Sequence, residues 1–250
     1  RLLGGCILGL AGTLNMCLFP ILGSKFVVGF TGMPADWVNY VMVAMLTIVV
    51  VYTLLGGMIS VVLTDFAQFI LLALGFLLGT YFILDHPDLG WDTIVGSLEQ
   101  HKGADAFDPI GNIAYGWTFV IYFIAISFVG IVWQPEMSRP LSTEDSLVAR
   151  RVFWIQGITS AGRAVIPMFW GCAAFAWTHL PSYTGAYADD GQSAVPEMLG
   201  QILPVGVAGL LLAGMFAAFM STHDSYLLAW SGVIVRDVMS PIKAMLAGSE

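Results

Sequence analysis

Charge is what this sequence has least of. Only 10% of its 250 residues are Asp, Glu, Lys or Arg, while 58% are hydrophobic, and the mean hydropathy is +0.82. An average soluble domain is about 25% charged and about 45–50% apolar. A water-soluble fold of this length would lack the polar side chains to cover its surface, so the surplus apolar area calls for a lipid bilayer. Basic residues are scarce, nine in all. They form no patch for a nucleic-acid backbone, which removes that class of partner. Cysteine is scarce too. Cys6, Cys17 and Cys172 lie singly in apolar runs with no CxxC and no Cys/His cluster, so neither a disulfide framework nor a zinc site is signalled. There is no alternating ten-residue pattern of the kind a membrane β-barrel requires. No signal peptide is visible. The chain opens on Arg1 inside an apolar run and ends at Glu250, and it reads as an internal fragment of a longer protein.

Long apolar runs are what is present. A membrane-spanning helix needs about 20 mostly apolar residues. Six stretches meet or approach that length: 2–22, 37–56, 59–84, 112–134, 152–178 and 204–235. The expected fold class is therefore an all-α, polytopic membrane helix bundle in a single transmembrane domain. The last stretch exceeds one crossing and is expected to tilt or to extend past the membrane. Loop charge orients the bundle. The loop 135–151 carries Arg139, Arg150 and Arg151, and the tail carries Arg236 and Lys243. The loop 85–111 holds six carboxylates against Lys102, and the loop 179–203 holds Asp189, Asp190 and Glu197 with no Lys or Arg. The positive-inside rule then places Arg1, a short turn near Gly56–Gly57, the loop 135–151 and the C-terminal tail in the cytoplasm, with Lys25 dissenting. Trp37, Trp91, Trp117, Trp133, Trp154 and Trp177 all fall near span ends, where amphipathic rings settle.

Three segments carry chemistry. In 52–68, Gly56 and Gly57 allow a tight turn. The helix after it sets Ser60, Thr64 and Gln68 on one face, with Asp65 beside them. A carboxylate two turns into a span is costly and by default functional; the alternative is a solvated aspartate at the interface. In 209–226, Gly214, Ala218 and Thr222 recur every four residues, a small-residue stripe that lets another helix approach. Ser221 and Thr222 add two hydroxyls. Hard cations prefer oxygen ligands, so these hydroxyls and the Ala218 carbonyl make half of a neutral oxygen site; the alternative is that they bond back to their own helix. In 133–151, Gln134 and Pro135 end a span and a basic amphipathic stretch follows, suited to anchoring at the membrane surface. Arg163, mid-way along 152–178, either faces a partner or snorkels. His86, His101 and His179 read as solvated loop residues, and His223 as packing.

Taken together these segments resemble the sodium/solute symporter family. Its Tyr-Thr-x-x-Gly-Gly and Thr-Asp-x-x-Gln patterns match Tyr52, Thr53, Gly56, Gly57, Thr64, Asp65 and Gln68. Its Ala-Ala-x-Met-Ser-Thr matches Ala217, Ala218, Met220, Ser221 and Thr222, followed by the usual Asp224 and Ser225. Its cytoplasmic Gln-x-x-x-x-x-Arg-x-Leu is similar to Gln134, Arg139 and Leu141, and Ala194 and Pro196 match the external Ala-x-Pro. The resemblance implies two inverted five-helix repeats with substrate and ion near the membrane midplane, this chain spanning the third to the eighth core helix. It implies sodium as the coupling ion on Ala218 (carbonyl), Ser221 and Thr222 (hydroxyls), with Asp65 on the ion's path to the cytoplasm. It implies a substrate or gate region at Phe128, Val129, Gly130 and Gln134. Ser127 to Gly130 lack the aromatic residues of the sugar-carrying members. The implied activity is sodium-coupled symport of a small organic solute across the cell membrane, without enzyme chemistry or organic cofactor. A symporter-like sensory kinase, or a proton-coupled or sodium-independent transporter of the same fold, is the alternative.

Overall fold

Long uninterrupted runs of Leu, Ile, Val, Phe and Ala leave the backbone only its own carbonyls as partners once water is absent, and such runs become helix. The computed structural model describes residues 2–108, 110–111, 116–130, 133–185 and 191–248, with the side chains of 56–63, 129–130 and 138–139 outside the described set. Among the described residues all regular structure is helical: α1 (Leu2–Thr31), a 3-10 turn (Ala35–Trp37), α2 (Val38–Asp85), α3 (Trp91–Lys102), α4 (Gly116–Gly130), α5 (Gln134–Leu141), α6 (Ser146–Thr178), α7 (Gly191–Ile202), α8 (Val205–Val233), a π-helical turn (Ile234–Met239) and α9 (Ser240–Leu246). Among the described residues, four stretches are long and apolar enough to cross a membrane: Leu2–Thr31, Ala35–Leu55, Thr64–Asp85 and Val205–Leu246. Gly116–Phe128 is a shorter apolar helix.

The helices differ from the expected spans in five places. The predicted spans 37–56 and 59–84 fall in one assigned helix, α2, with no break at Gly56–Gly57. Yet the Tyr52 and Thr64 hydroxyls hydrogen-bond to one another. Twelve residues of straight helix would set them about 18 Å apart, so the two stretches approach one another. The acidic loop 85–111 contains α3, and the loop 179–203 contains α7. The cytoplasmic stretch 135–151 is helical as α5 and the start of α6; Asp145 caps α6, accepting the Val148 N–H at 2.7 Å. The last helix passes through the π-helical turn and ends at Leu246, beyond 235. Arg1, Asp189 and Asp190, used above for orientation, lie outside the described residues, as does the Arg139 side chain.

The chain forms two units. The first comprises residues 1–28, 33–75 and 209–250 and is organised on α8. Along its length α8 meets α1 in one antiparallel register: Phe219 lies against Gly23, His223 against Phe19, Tyr226 against Asn15, Trp230 against Gly12 and Asp237 against Gly5. Each step forward on α8 is matched by a step back on α1. Val27, Met45, Val49 and Phe219 form the buried core of this unit.

The second unit comprises 29–32 and 76–208. Here α3, α5 and α7 pack on α6. Trp170 of α6 is buried; it donates its indole N–H to Thr80 Oγ1 at 3.0 Å and meets Phe76 edge-on at 5.1 Å. Ile94 on α3 and Met198 and Leu199 on α7 are fully buried. Tyr183 donates its hydroxyl to Glu197 Oε2 at 2.9 Å, joining the segment after α6 to α7. Outside these cores the surface is apolar: Leu10, Leu14, Tyr40, Leu54, Leu55, Phe66, Leu77 and Ile121 are all exposed. Such a surface is stable against lipid, not water.

Candidate functional site

The candidate site belongs to the middle of α8. At Gly214, the first residue of the stripe Gly214–Ala218–Thr222, another backbone comes close. A β-carbon on Gly214 would lie 3.1 Å from the Leu71 carbonyl oxygen and from Leu72 Cα of α2. One turn earlier, Gly75 stands against Leu211. The α2 and α8 backbones therefore run antiparallel, 75 beside 211 and 71–72 beside 214. Continued one residue per residue, that register carries Gln68 to the level of Ala218 and Asp65 to the level of Ser221.

Local hydrogen bonding explains how the oxygens are held. Thr222 donates its hydroxyl to the Ala218 carbonyl at 2.9 Å, and Ser225 donates to the Ser221 carbonyl at 2.7 Å. This is the back-bonded arrangement common for Ser and Thr in apolar helices. It does not consume the site. A hydroxyl that gives away its proton keeps two lone pairs, so Thr222 Oγ1 remains an acceptor that a small cation can share. Ser221, Thr222 and Ala218 are half-buried, and so is Asp65. Gln68 Oε1 is buried and accepts no hydrogen bond.

Several residues around this site were not legible as partners. Asp224 is fully buried, and Ser225 Oγ lies 3.2 Å from its Oδ1. His223, expected to pack, is buried: its ring lies 4.0 Å from Phe219 and 6.2 Å from Phe19, Nδ1 donates to the Phe219 carbonyl at 2.9 Å, and Nε2 has no partner. Tyr226 donates to Asn15 Oδ1 at 3.1 Å, tying α1 to α8 one turn beyond Thr222. The sequence signal for that bond was a single amide in an otherwise apolar run.

The other predicted residues sit elsewhere. Phe128 on α4 and Gln134 at the start of α5 are exposed and belong to the second unit. The side chains of Val129 and Gly130 lie outside the described residues, as does that of Ser60. Arg163 is exposed on α6. Among the described residues no group of three or more His, Cys, Asp or Glu side chains gathers as a metal cage.

The model of the sodium:solute symporter family matches residues 13–249. The chain belongs to this family. Among curated relatives, high-affinity choline transporter 1 of Drosophila melanogaster is 28% identical over 198 residues, 76% of this chain and 30% of that protein. The sodium/pantothenate symporter of Haemophilus influenzae is 28% identical over 217 residues, 80% of this chain and 40% of its own length. The sodium/sialic acid symporter NanT of Aliivibrio fischeri is 26% identical, covering 93% of this chain and 48% of its own. This chain thus spans between about a third and a half of the length of the curated relatives it matches. No solved structure gives a significant match.

Proposed function

We propose that this chain is part of a sodium-coupled symporter that moves a small organic solute across the cell membrane by alternating access. The observation that carries the reading is the group of half-buried neutral oxygens on α8: the Ala218 carbonyl with the Ser221 and Thr222 hydroxyls, on a helix face close-packed against α2. A sodium ion needs oxygen ligands at a site it can reach and leave, and neutral oxygens avoid the cost of a buried fixed charge. Asp65, level with Ser221 by the α2–α8 register, supplies a carboxylate along the ion's way to the cytoplasm. Sodium and solute are the cargo, and coupling arises because sodium favours the state that also binds solute; a ligand shifts an equilibrium only by its differential affinity.

In this reading α4 and α6 cross the bilayer with α1, both stretches of α2 and α8. The loop 135–151 and the tail after α8 face the cytoplasm, as Arg150, Arg151, Arg236 and Lys243 favour. Phe128, Val129, Gly130 and Gln134 form the solute or gate region. The relatives named above carry choline, pantothenate and sialic acid, so the solute class is a small polar or charged organic molecule. No covalent step is involved.

The test is uptake of labelled choline, pantothenate, sialic acid and amino acids by the full-length parent in liposomes, with and without an inward sodium gradient. Accumulation that depends on sodium and collapses in the Ser221→Ala/Thr222→Ala variant is the expected result. Accumulation indifferent to sodium would overturn the coupling, and solute binding without accumulation would point to a sensor.

A further inference from the structure

Two histidine rings from different helices meet at one edge of the second unit. His101 lies in the last turn of α3 and His179 caps the C-terminus of α6. Their ring centroids are 4.3 Å apart with the planes inclined at 55°, and both side chains are exposed. In each ring Nδ1 lies 2.8 Å from the carbonyl oxygen four residues earlier, Ser97 for His101 and Phe175 for His179. A carbonyl can only accept. In the neutral ring Nδ1 therefore carries the proton, and the Nε2 lone pair is bare. Metal-ligating histidines are held in this way, the second nitrogen donating to a carbonyl that sets ring and tautomer. His86 is held in the opposite sense: its Nδ1 accepts the Asp88 N–H at 3.3 Å, which puts the proton on Nε2.

The spacing of the pair suits a shared ion. A metal–nitrogen bond of about 2.0–2.1 Å sets the ring centroid about 3.2 Å from the ion, so two rings at a right angle have centroids about 4.5 Å apart, and at the tetrahedral angle about 5.2 Å. The observed 4.3 Å lies just short of that range. Among divalent ions, nitrogen sites hold Cu(II) most tightly, with Ni(II) and Zn(II) behind it.

We propose that His101 and His179 form a two-histidine site for a transition-metal dication, Cu(II) ahead of Ni(II) and Zn(II), ligated through Nε2 with water in the remaining positions. A bound ion would fasten the end of α3 to the end of α6. Phe175 supports the pair, its centroid 4.3 Å from His179 and 5.9 Å from His101. The Lys102 ammonium, 5.1 Å from the Phe175 centroid, repels a dication and keeps the site a weak, reversible one. With two protein ligands the clamp is open to exchange, unlike the closed four-ligand cage of a structural zinc.

The test is Cu(II) titration of the full-length parent, purified without a polyhistidine tag, followed by electron paramagnetic resonance. The expected spectrum shows coupling to two imidazole nitrogens. His101→Gln and His179→Gln should each remove one of them and weaken binding by at least about tenfold, while His86→Gln leaves spectrum and affinity as in the parent. Both substituted positions are exposed, so an unchanged gel-filtration profile confirms that fold is retained. Two-nitrogen coupling that survives in the His101→Gln/His179→Gln variant would overturn the proposal. So would loss that follows only one of the two histidines, or a parent that binds Cu(II) no more tightly than the double variant.

Discussion

The indole of Trp230 occupies the space that a β-carbon on Gly12 would need. Trp230 is buried on α8, and Gly12 is where α1 passes over it. The contact explains why an apolar helix keeps a glycine in its interior, where propensity disfavours it by about 1 kcal/mol relative to Ala.

Gly12→Ala therefore acts against its helix propensity. The added methyl cannot be accommodated unless Trp230 changes rotamer or α1 moves outward. The expected cost is about 1–3 kcal/mol, the usual range for overpacking. Thermal unfolding in detergent, followed by tryptophan fluorescence, should show a lowered midpoint. Gly4→Ala, where a β-carbon would meet nothing within 4 Å, should leave it unchanged or slightly raised.

The Tyr226–Asn15 hydrogen bond links the same two helices nearer the candidate site. Interhelical hydrogen bonds in membranes average about 0.6 kcal/mol and reach about 1.7 kcal/mol. A double-mutant cycle with Tyr226→Phe and Asn15→Ala should give a favourable coupling in that range. A coupling of zero would mean that the bond contributes nothing to the α1–α8 contact.

Ser221→Ala and Thr222→Ala each remove one oxygen that the proposed ion uses. In the full-length parent each should raise the sodium concentration for half-maximal uptake by about tenfold or more, equivalent to about 1.4 kcal/mol of ligation. Thr222→Ser keeps the hydroxyl and its bond to the Ala218 carbonyl, and should restore most of the affinity. Stability should change little, because the lost bond is internal to α8 and its acceptor is already paired in the helix.

Arg163 is exposed on α6. Arg163→Gln should leave solute uptake kinetics and expression as in the parent. A raised KM for an anionic solute, with unchanged maximal rate, would instead give the guanidinium a place in substrate binding.

Gly214→Leu tests the α2–α8 approach. Its side chain would meet the backbone of Leu71 and Leu72 rather than a flexible side-chain end, so the helices must separate. Loss of folded protein or of sodium-dependent uptake is expected, whereas Gly209→Leu, with open space around it, should be tolerated.

What the sequence by itself determined is the class of molecule and the chemistry available to it. A chain 58% hydrophobic and 10% charged can hide its apolar surface only in lipid, and lipid admits only helices where no barrel pattern exists. Gly214, Ala218 and Thr222 announced a close helix contact because a repeat of four maps onto one face. Ser221, Thr222 and Asp65 stood out because polar groups in apolar runs are costly. Local patterns of this kind depend on neighbours three or four residues away, which the sequence displays directly.

Only the tertiary structure decided which surfaces meet. The one-for-one antiparallel register of α1 on α8 joins residues about two hundred apart, and nothing local specifies that Asn15 finds Tyr226 or that Gly12 finds Trp230. The acidic and polar loops hid α3 and α7, which pack on α6 and bury Ile94, Met198 and Leu199, rather than showing an apolar run long enough to see. His101 and His179 read as solvated because each is polar and terminal; their meeting depends on where α3 docks. Registers between helices are set by side chains interlocking across space, and a linear pattern carries the shape of one face but not the identity of the face opposite.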